Sequence, residues 1–341
     1  MKTRYLVTGG AGFIGSNFIR HLLSRDEDAW VTNLDKLTYA GNLENLRGLE
    51  VDPRYQFVRG DIADSKIVEK IFRRGVDVVV HFAAETHVDR SIQNAADFID
   101  TDVKGTFYLL ENARRFGVKR FVQVSTDEVY GSIAKGACRE DAPLLPRNPY
   151  SASKAGADRL AYSFWATHGV PVIITRCSNN YGPYQHPEKM IPLFVTNALE
   201  NKPLPLYGDG RNVRDWIHVL DHCNAILFLL QQGKDGEVYN VSGDAPKENI
   251  EITRLILKIL GKPTNLIRWV QDRPGHDRRY SIDGAKLKAL GFKPKLRFAD
   301  GMEKTVRWYQ ENTSWWRKIK SGVFRDYYQK QYGQRMARAR V

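Results

Sequence analysis

Cysteine is scarce. Cys138, Cys177 and Cys223 are all that a chain of 341 residues carries, and no two stand in a CxxC spacing. Neither a disulfide framework nor a zinc site is expected, and a reducing compartment fits. Long apolar runs are missing as well. The longest, AILFLL at 225–230, falls far short of a bilayer span, and MKTRYLVTGG leads straight into a strand with no apolar signal region. A cytoplasmic protein with no membrane partner is the expectation. Internal repeats, low-complexity segments and disordered linkers are not found. The formal net charge of +13 invites nucleic acid, but the chain has no groove-reading motif and no aromatic-basic platform. Residues 307–341 hold nine Lys/Arg against two Asp/Glu, so much of the excess belongs to the tail. No nucleic-acid partner is expected, and an acidic small molecule is compatible with the remaining charge.

What is present is a length sufficient for a large core and two lobes. Short apolar runs alternate with helical patterns: RYLVTG, then 13–24; WVTNLD; YQFVRGD, then 64–73; VDVVVHFAA, then 94–116; RFVQVST, then 149–168; PVIITR. This rhythm predicts an α/β fold, a doubly wound parallel (Rossmann) sheet with helices on both faces. After NNYGPYQHPEKMIPLF the rhythm loosens, with a turn at YGDGR, helices near 218–231, 249–260 and 300–312, and a strand EVYNVSG. The expected division is a dinucleotide-binding domain over 1–178 and a smaller α/β lobe with a basic tail over 179–341. Residues 218–242 are a candidate for return to the first domain.

In LVTGGAGFIGS, Gly9, Gly12 and Gly15 follow a strand and open a helix. Such glycines allow a tight turn, close approach of backbone to a diphosphate and close packing of helix on strand. Asp35 ends the next strand, where a carboxylate can hold both hydroxyls of an adenosine ribose and repel a 2′-phosphate. NAD is therefore favoured over NADP, with Lys36 the neighbour that argues the other way. Asp61, at the end of YQFVRGD, has two readings, a contact to adenine or the cap of helix 64–73.

YSASK places Tyr150 and Lys154 one helical turn apart on one face. Half-ionising a tyrosine near neutrality requires its pKa to fall by about three units, or about 4 kcal/mol. An ammonium at about 4 Å supplies roughly that at an effective dielectric of 20. The pair is expected to make a phenolate base. STDEVYG sets Thr126, Asp127 and Glu128 at the mouth of a buried strand, where the backbone can turn and bring all three to one cavity. Two acids beside a redox centre imply proton traffic, because loss of water needs both a base and an acid. Close carboxylates suit this division, since each disfavours ionisation of the other. The plainer reading of the acids is a helix first turn, where they are common.

With the glycine turn and YxxxK together, the chain resembles the extended short-chain dehydrogenase/reductase family. STDEVYG, FAAETHVDRSI, RCSNNYGPYQHPEKMIPL, YGDGRNVRDWIHV and DRPGHDRRYSID are similar to its nucleoside-diphosphate-glucose 4,6-dehydratases, over most of residues 3–312. The resemblance implies dehydration of the sugar by transient oxidation at C4, elimination of water across C5–C6 and reduction at C6, with NAD tightly held and regenerated in each cycle. It implies catalytic roles for Thr126 as hydroxyl, Asp127 as acid, Glu128 as base, and Tyr150 with Lys154. At the cofactor it adds Phe13, Ile14, Thr38, Ile62, Ala83, Ala84, Thr101 and Asn180 to Gly9, Gly12, Gly15, Asp35, Lys36, Asp61, Tyr150 and Lys154. At the nucleotide sugar it implies Thr86, Thr126, Asn179, Lys189, Met190, Pro205, Leu206, Tyr207, Arg214, Asn249, Asp272, Arg273 and His276. Arg214 and Arg273 also suit phosphate oxygens through a planar fork of donors. Asp102 departs from the usual asparagine, and His186 from a common aromatic.

A homodimer through helices 94–116 and 149–168 is implied, with Phe98, Phe107 and Phe164 read as outward-facing, and Trp315 and Trp316 read as fasteners of the tail. Rival readings are a uridine-diphosphate-glucose dehydratase, a nucleotide-sugar epimerase or decarboxylase and, in another class, a non-enzymatic nucleotide-sensing or RNA-associated protein. The adjoining acids weigh against epimerisation, and the intact Tyr150–Lys154 pair against mere sensing. Thymidine and uridine differ by one methyl, about 1–3 kcal/mol of pocket contact, which leaves the base open.

Overall fold

The computed structural model describes residues 2–272, 276–321 and 323–337. Its first half runs β1 (Thr3–Thr8), α1 (Phe13–Arg25), β2 (Ala29–Asp35), β3 (Tyr55–Arg59), α2 (Ser65–Phe72), β4 (Val78–His81), α3 (Val88–Gln93), α4 (Ala96–Phe98), α5 (Thr106–Phe116), β5 (Arg120–Thr126), α6 (Pro149–His168) and β6 (Val172–Cys177). The second continues with β7 (Asn179–Tyr181), α7 (Met190–Leu199), β8 (Leu204–Tyr207), β9 (Val213–Arg214), β10 (Trp216–His218), α8 (Val219–Gln232), β11 (Val238–Val241), β12 (Lys247–Glu248), α9 (Asn249–Leu260), β13 (Ile267–Val270), α10 (Ala285–Ala289), α11 (Phe298–Glu311), α12 (Thr313–Ile319) and α13 (Val323–Ala337).

Among the described residues, seven strands form one parallel sheet in the order β11-β6-β5-β4-β1-β2-β3. Parallel strands are covered on both faces, so they carry near-continuous apolar runs instead of alternation; VVVH of β4 is buried at every position. Phe18, Ile19 and Leu22 of α1 with Ile226 and Leu229 of α8 cover one face. Val68 and Phe72 of α2, Leu109 and Leu110 of α5 and Phe164 of α6 cover the other. Each such side chain contributes about 1.5–3 kcal/mol of apolar burial. β11 pairs with β6, so Val238–Val241 joins the central sheet. A separate apolar cluster unites α7, α9, α11, α12, β8 and α13 around Trp316, Met302 and Val306.

Helix boundaries follow local chemistry. Pro149 occupies the first turn of α6, the Asn148 side chain accepts the Ser151 N–H, and Gly169 ends the helix at φ +68°, the three signals that start and stop a helix. α2 is capped by Asp64, whose carboxylate accepts from Lys66 N and Ile67 N. The capping role considered for Asp61 therefore belongs to Asp64, which sits at the position whose side chain can reach those N–H groups. The helix expected over 94–116 is not one helix. α4 passes into a π-helical stretch, Ile99–Gly105, before α5 begins. Phe98 and Phe164 do not face outward. Both are buried within the chain, Phe98 edge-on to Tyr150 and Phe164 against Phe107 and His168, while Phe107 is exposed. The Trp315 indole donates to Asn45 Oδ1 at 2.9 Å and that of Trp316 to Tyr309 O, so the first tryptophan ties the tail to the loop after β2. No helix among the described residues is long and apolar enough to cross a membrane.

Candidate active site

The carboxyl ends of the central strands open onto one cavity, as in other doubly wound sheets. All the residues expected at the cofactor line it, as do Thr126, Asp127 and Glu128. The glycine turn divides its labour visibly. Gly9 adopts φ +71°, and a Cβ there would sit 2.6 Å from Ala83 N; a Cβ on Gly15 would overlap Gly9 O. Gly12 meets only Gly9 O, at 3.3 Å, and borders the cavity. The first and third glycines thus serve the turn and the helix contact, and the second leaves room for a ligand at the N-terminus of α1, where unpaired N–H groups favour phosphate.

Asp35 Oδ2 accepts Ala11 N at 2.9 Å and Oδ1 accepts Leu37 N at 2.8 Å, which fixes the carboxylate and leaves each oxygen a lone pair for a ribose hydroxyl. Burial nevertheless pushes its pKa up. Lys36 pairs with Asp61 Oδ2 at 2.6 Å, so its charge is matched by that carboxylate instead of being offered to a 2′-phosphate. A glycine cradle, a helix N-terminus and a ribose-facing carboxylate fit NAD.

Thr126 closes β5 and caps a 3₁₀ turn over Asp127–Tyr130, its Oγ1 accepting Glu128 N at 3.2 Å. The helix-first-turn reading and the catalytic one therefore coincide, since the cap that orders the turn also presents the acids to the cavity. Asp127 is buried, its Oδ1 near Thr126 Oγ1 at 3.3 Å and its Oδ2 without a partner among the described residues. Burial, then the charges of Glu128 and Asp215, raise its pKa well above the ordinary carboxylate value, the direction that favours the protonated acid. The environment of Tyr150 opposes the expected ionisation. Its pKa is raised, chiefly by desolvation and next by Glu128 and Asp102, against a lowering hydrogen bond from Thr126. Lys154 is buried and its Nζ donates to Val124 O at 2.8 Å, while desolvation lowers its own pKa.

Asp102, in the π-helical stretch, lies beneath this pair. Oδ1 accepts Glu85 N at 3.0 Å and Oδ2 accepts Ser153 Oγ at 2.6 Å. Burial raises its pKa to about 6; desolvation, then the charges of Asp102 and Asp97, raise that of Glu85 to about 7.

A second cavity shares Thr86, Glu128, Asn179 and Lys189 with the first and extends to Met190, Pro205, Leu206, Tyr207, Arg214, Asn249 and His276. Thr126 borders only the first. Arg214 is buried, donates to Val213 O and Asp277 O, and lies 4.4 Å from the Tyr280 ring centre. Lys189 donates to Thr86 O at 2.7 Å, and the Oδ1 atoms of Asn179 and Asn249 have no partner among the described residues. Asp272 lines neither cavity and pairs with His276 Nδ1 at 2.5 Å. Arg273 lies outside the described residues. Sequence reasoning missed Asp215, Tyr280 and Tyr332. The first two sit inside YGDGRNVRDWIHV and DRPGHDRRYSID, but their chemistry is carried by burial, which no spacing reports. No group of three or more His, Cys, Asp or Glu among the described residues could hold a metal ion.

A dinucleotide cradle that shares its cavity with a Tyr–Lys pair and two acids defines a redox enzyme of the extended short-chain dehydrogenase/reductase type. The chain belongs to the GDP-mannose 4,6-dehydratase family, whose model matches residues 6–305. It is 52% identical over 323 residues to dTDP-glucose 4,6-dehydratase of Streptomyces niveus, covering 93% of this chain and 96% of that one. It is 47% identical over 346 residues to dTDP-glucose 4,6-dehydratase of Neisseria meningitidis serogroup B, covering 94% and 97%. The structure of the dTDP-glucose 4,6-dehydratase DesIV from Streptomyces venezuelae, solved with NAD and dTDP, superposes with a TM-score of 0.91 at 54% identity, covering 93% of this chain and 100% of that one. UDP-glucose 4-epimerase of Thermus thermophilus, solved with NAD, follows the same fold with a TM-score of 0.85 at 31% identity, covering 91% and 100%.

Proposed function

We propose that the protein converts dTDP-glucose to dTDP-4-keto-6-deoxy-glucose, with NAD as resident cofactor. The observation that carries this reading is the pair of acids at the end of β5, the pKa of Asp127 raised by burial and by its acid neighbour, within the cavity that contains Tyr150, Lys154 and the glycine turn. NAD, held by the glycine turn and Asp35, would supply the oxidant at C4 and the reductant at C6.

Tyr150 takes the proton of the C4 hydroxyl, and Thr126 donates to the same oxygen. Lys154, immobilised on Val124 O, holds positive charge beside the ionising phenol. The ketone formed at C4 acidifies C5–H. Glu128 removes that proton while Asp127 delivers its own to the C6 hydroxyl, which leaves as water. An acid then reprotonates C5. Proton transfer by positioned groups contributes about 10²–10⁴-fold to such steps.

Residues 1–178 together with 218–242 form the NAD-binding part in this proposal, and the rest of 179–341 binds the nucleotide sugar. A homodimer through α5, α6 and the stretch before α5 is supported by Ile92, Ile99, Phe107 and Tyr162, which are exposed there. Cysteines that are all unpaired suit a reducing cytoplasm.

Purified protein supplied with dTDP-glucose, without added NAD, is expected to yield a product one water lighter with a 4-keto chromophore. Deuterium placed on C4 should be recovered at C6 of the same molecule. Its loss to solvent, or a product isomeric with the substrate, would refute the reading. UDP-glucose in a parallel reaction tests the base.

A further inference from the structure

We infer that the C-terminal helix α13 is a wall of the nucleotide-sugar pocket and sets affinity at the nucleotide end of the substrate. The inference rests on the function proposed above. α13 lies wholly beyond the residues matched by the family model, so nothing in the shared motifs assigns it a role.

The placement is specific. Tyr332 is buried, borders the second cavity and stacks on Tyr207 with ring centres 5.9 Å apart and planes 29° apart. The Tyr207 hydroxyl accepts Gln331 Nε2 at 2.9 Å and Arg335 Nη1 at 2.8 Å and is also hydrogen-bonded to the Tyr332 side chain. Gln331 Nε2 also donates to Asp89 Oδ2 at 2.7 Å. One amide thus ties α3 to β8, two elements that both border the second cavity. Tyr327 reinforces the link, bridging to His87 Nε2 at 3.3 Å and lying 4.5 Å from the Arg90 guanidinium, whose other face meets Tyr39 at 3.7 Å.

The chemistry around Tyr332 identifies what it faces. Arg214 and His276 line the same cavity and suit diphosphate oxygens, while two stacked phenol rings offer the flat apolar surface that a nucleobase prefers. Glu128 borders the cavity at its junction with the catalytic one. The aromatic end is therefore the place of the nucleoside diphosphate, and the reacting sugar lies toward Glu128. Tyr332 acts by contact; Gln331 is a positioning residue that acts through Tyr207.

The test uses the full chain with its NAD. Affinity for dTDP alone is measured by calorimetry, and KM and kcat with dTDP-glucose, for Tyr332→Ala, Gln331→Ala and Tyr332→Phe. Tyr332→Ala should weaken dTDP binding and raise KM about three- to tenfold, the range of one aromatic contact, with NAD content and kcat unchanged within about twofold. Gln331→Ala should give a smaller effect of the same sign on both, and Tyr332→Phe, which keeps the ring and loses only its hydrogen bond to Tyr207, should lie between wild type and Tyr332→Ala. Unchanged dTDP affinity in both alanine variants overturns the inference, as does a fall in kcat at constant KM. If Tyr332→Ala does not fold, Gln331→Ala decides by the same criteria. Failure of the wild-type protein to dehydrate dTDP-glucose would instead sink the proposed function, and dTDP binding would still report on α13.

Discussion

The two ends of the active-site cleft are built from different materials. At the cofactor end the fit comes from backbone: a left-handed glycine, a missing Cβ, a helix N-terminus and an acid at a strand end, all within residues 9–35. At the sugar end it comes from side chains scattered from Thr86 to Tyr332 over several elements, among them α3, α7, β8 and α13. A backbone site is local and tolerates little change of shape. A side-chain site depends on the packing of the whole lobe and can be tuned residue by residue. The catalytic centre stands between them, using a strand end for Thr126 and its acids and a well-capped helix for Tyr150 and Lys154.

The largest expected effect tests the centre. Tyr150→Phe should lower kcat by about 10²–10⁴-fold, the loss of a positioned proton acceptor, while NAD content stays unchanged; a loss of NAD in parallel would place the phenol in the cofactor site only. Next comes the backbone end. Gly9→Ala puts a Cβ against the Ala83 backbone at a left-handed φ, and should cost about 2–4 kcal/mol of stability, read by chemical denaturation with NAD present. A mild effect there would erase the contrast drawn above.

A smaller effect of opposite sign is expected at Asp102. Its carboxyl titrates near 6 in the folded chain against an ordinary value of 3.8. Between those values the fold keeps a proton that the unfolded chain has released, so this group's contribution to stability falls as pH rises through that window and stays low above it. Asp102→Asn removes the penalty. The amide can still accept Glu85 N and can donate to Ser153 Oγ, which itself donates to Tyr150 O. Thermal stability should rise at pH 7.5 by about 1–3 kcal/mol, with a gain that shrinks toward pH 4; an equal gain at both pH values would rule out ionisation as the cause. The smallest effect is at the tail: Trp315→Phe gives up one hydrogen bond to Asn45 and should cost about 1 kcal/mol, read as a modest drop in thermal midpoint without a change in KM.

Much of the first half was legible because its signals are local. The alternation of runs gave the parallel sheet, and Asn148, Pro149 and Gly169 bracket α6 at the residues predicted for it. The glycine turn and Asp35 could be read on the same basis. Where reasoning from neighbours met long-range packing it failed. Phe98 and Phe164 look like surface aromatics on a helix pattern, yet Phe98 packs edge-on to Tyr150 and Phe164 against His168 inside the chain. The opposing influences on Tyr150 were not legible, because two carboxylates and burial act on it from separate elements. Tyr332 could not be placed at all, since nothing near it in the chain says that α13 returns across the cleft.

The π-helical stretch Ile99–Gly105 has a mechanical consequence. A wide turn holds more residues than an α-turn of the same rise, so deleting one residue there would let the segment straighten, and everything before it would rotate by about 100° relative to α5. Thr101 would swing off the cofactor cavity and the Asp102 carboxylate would leave Ser153. The irregular turn thus works as an indexing notch: chain length in that short span, more than the identity of any side chain in it, keeps two otherwise independent surfaces in phase.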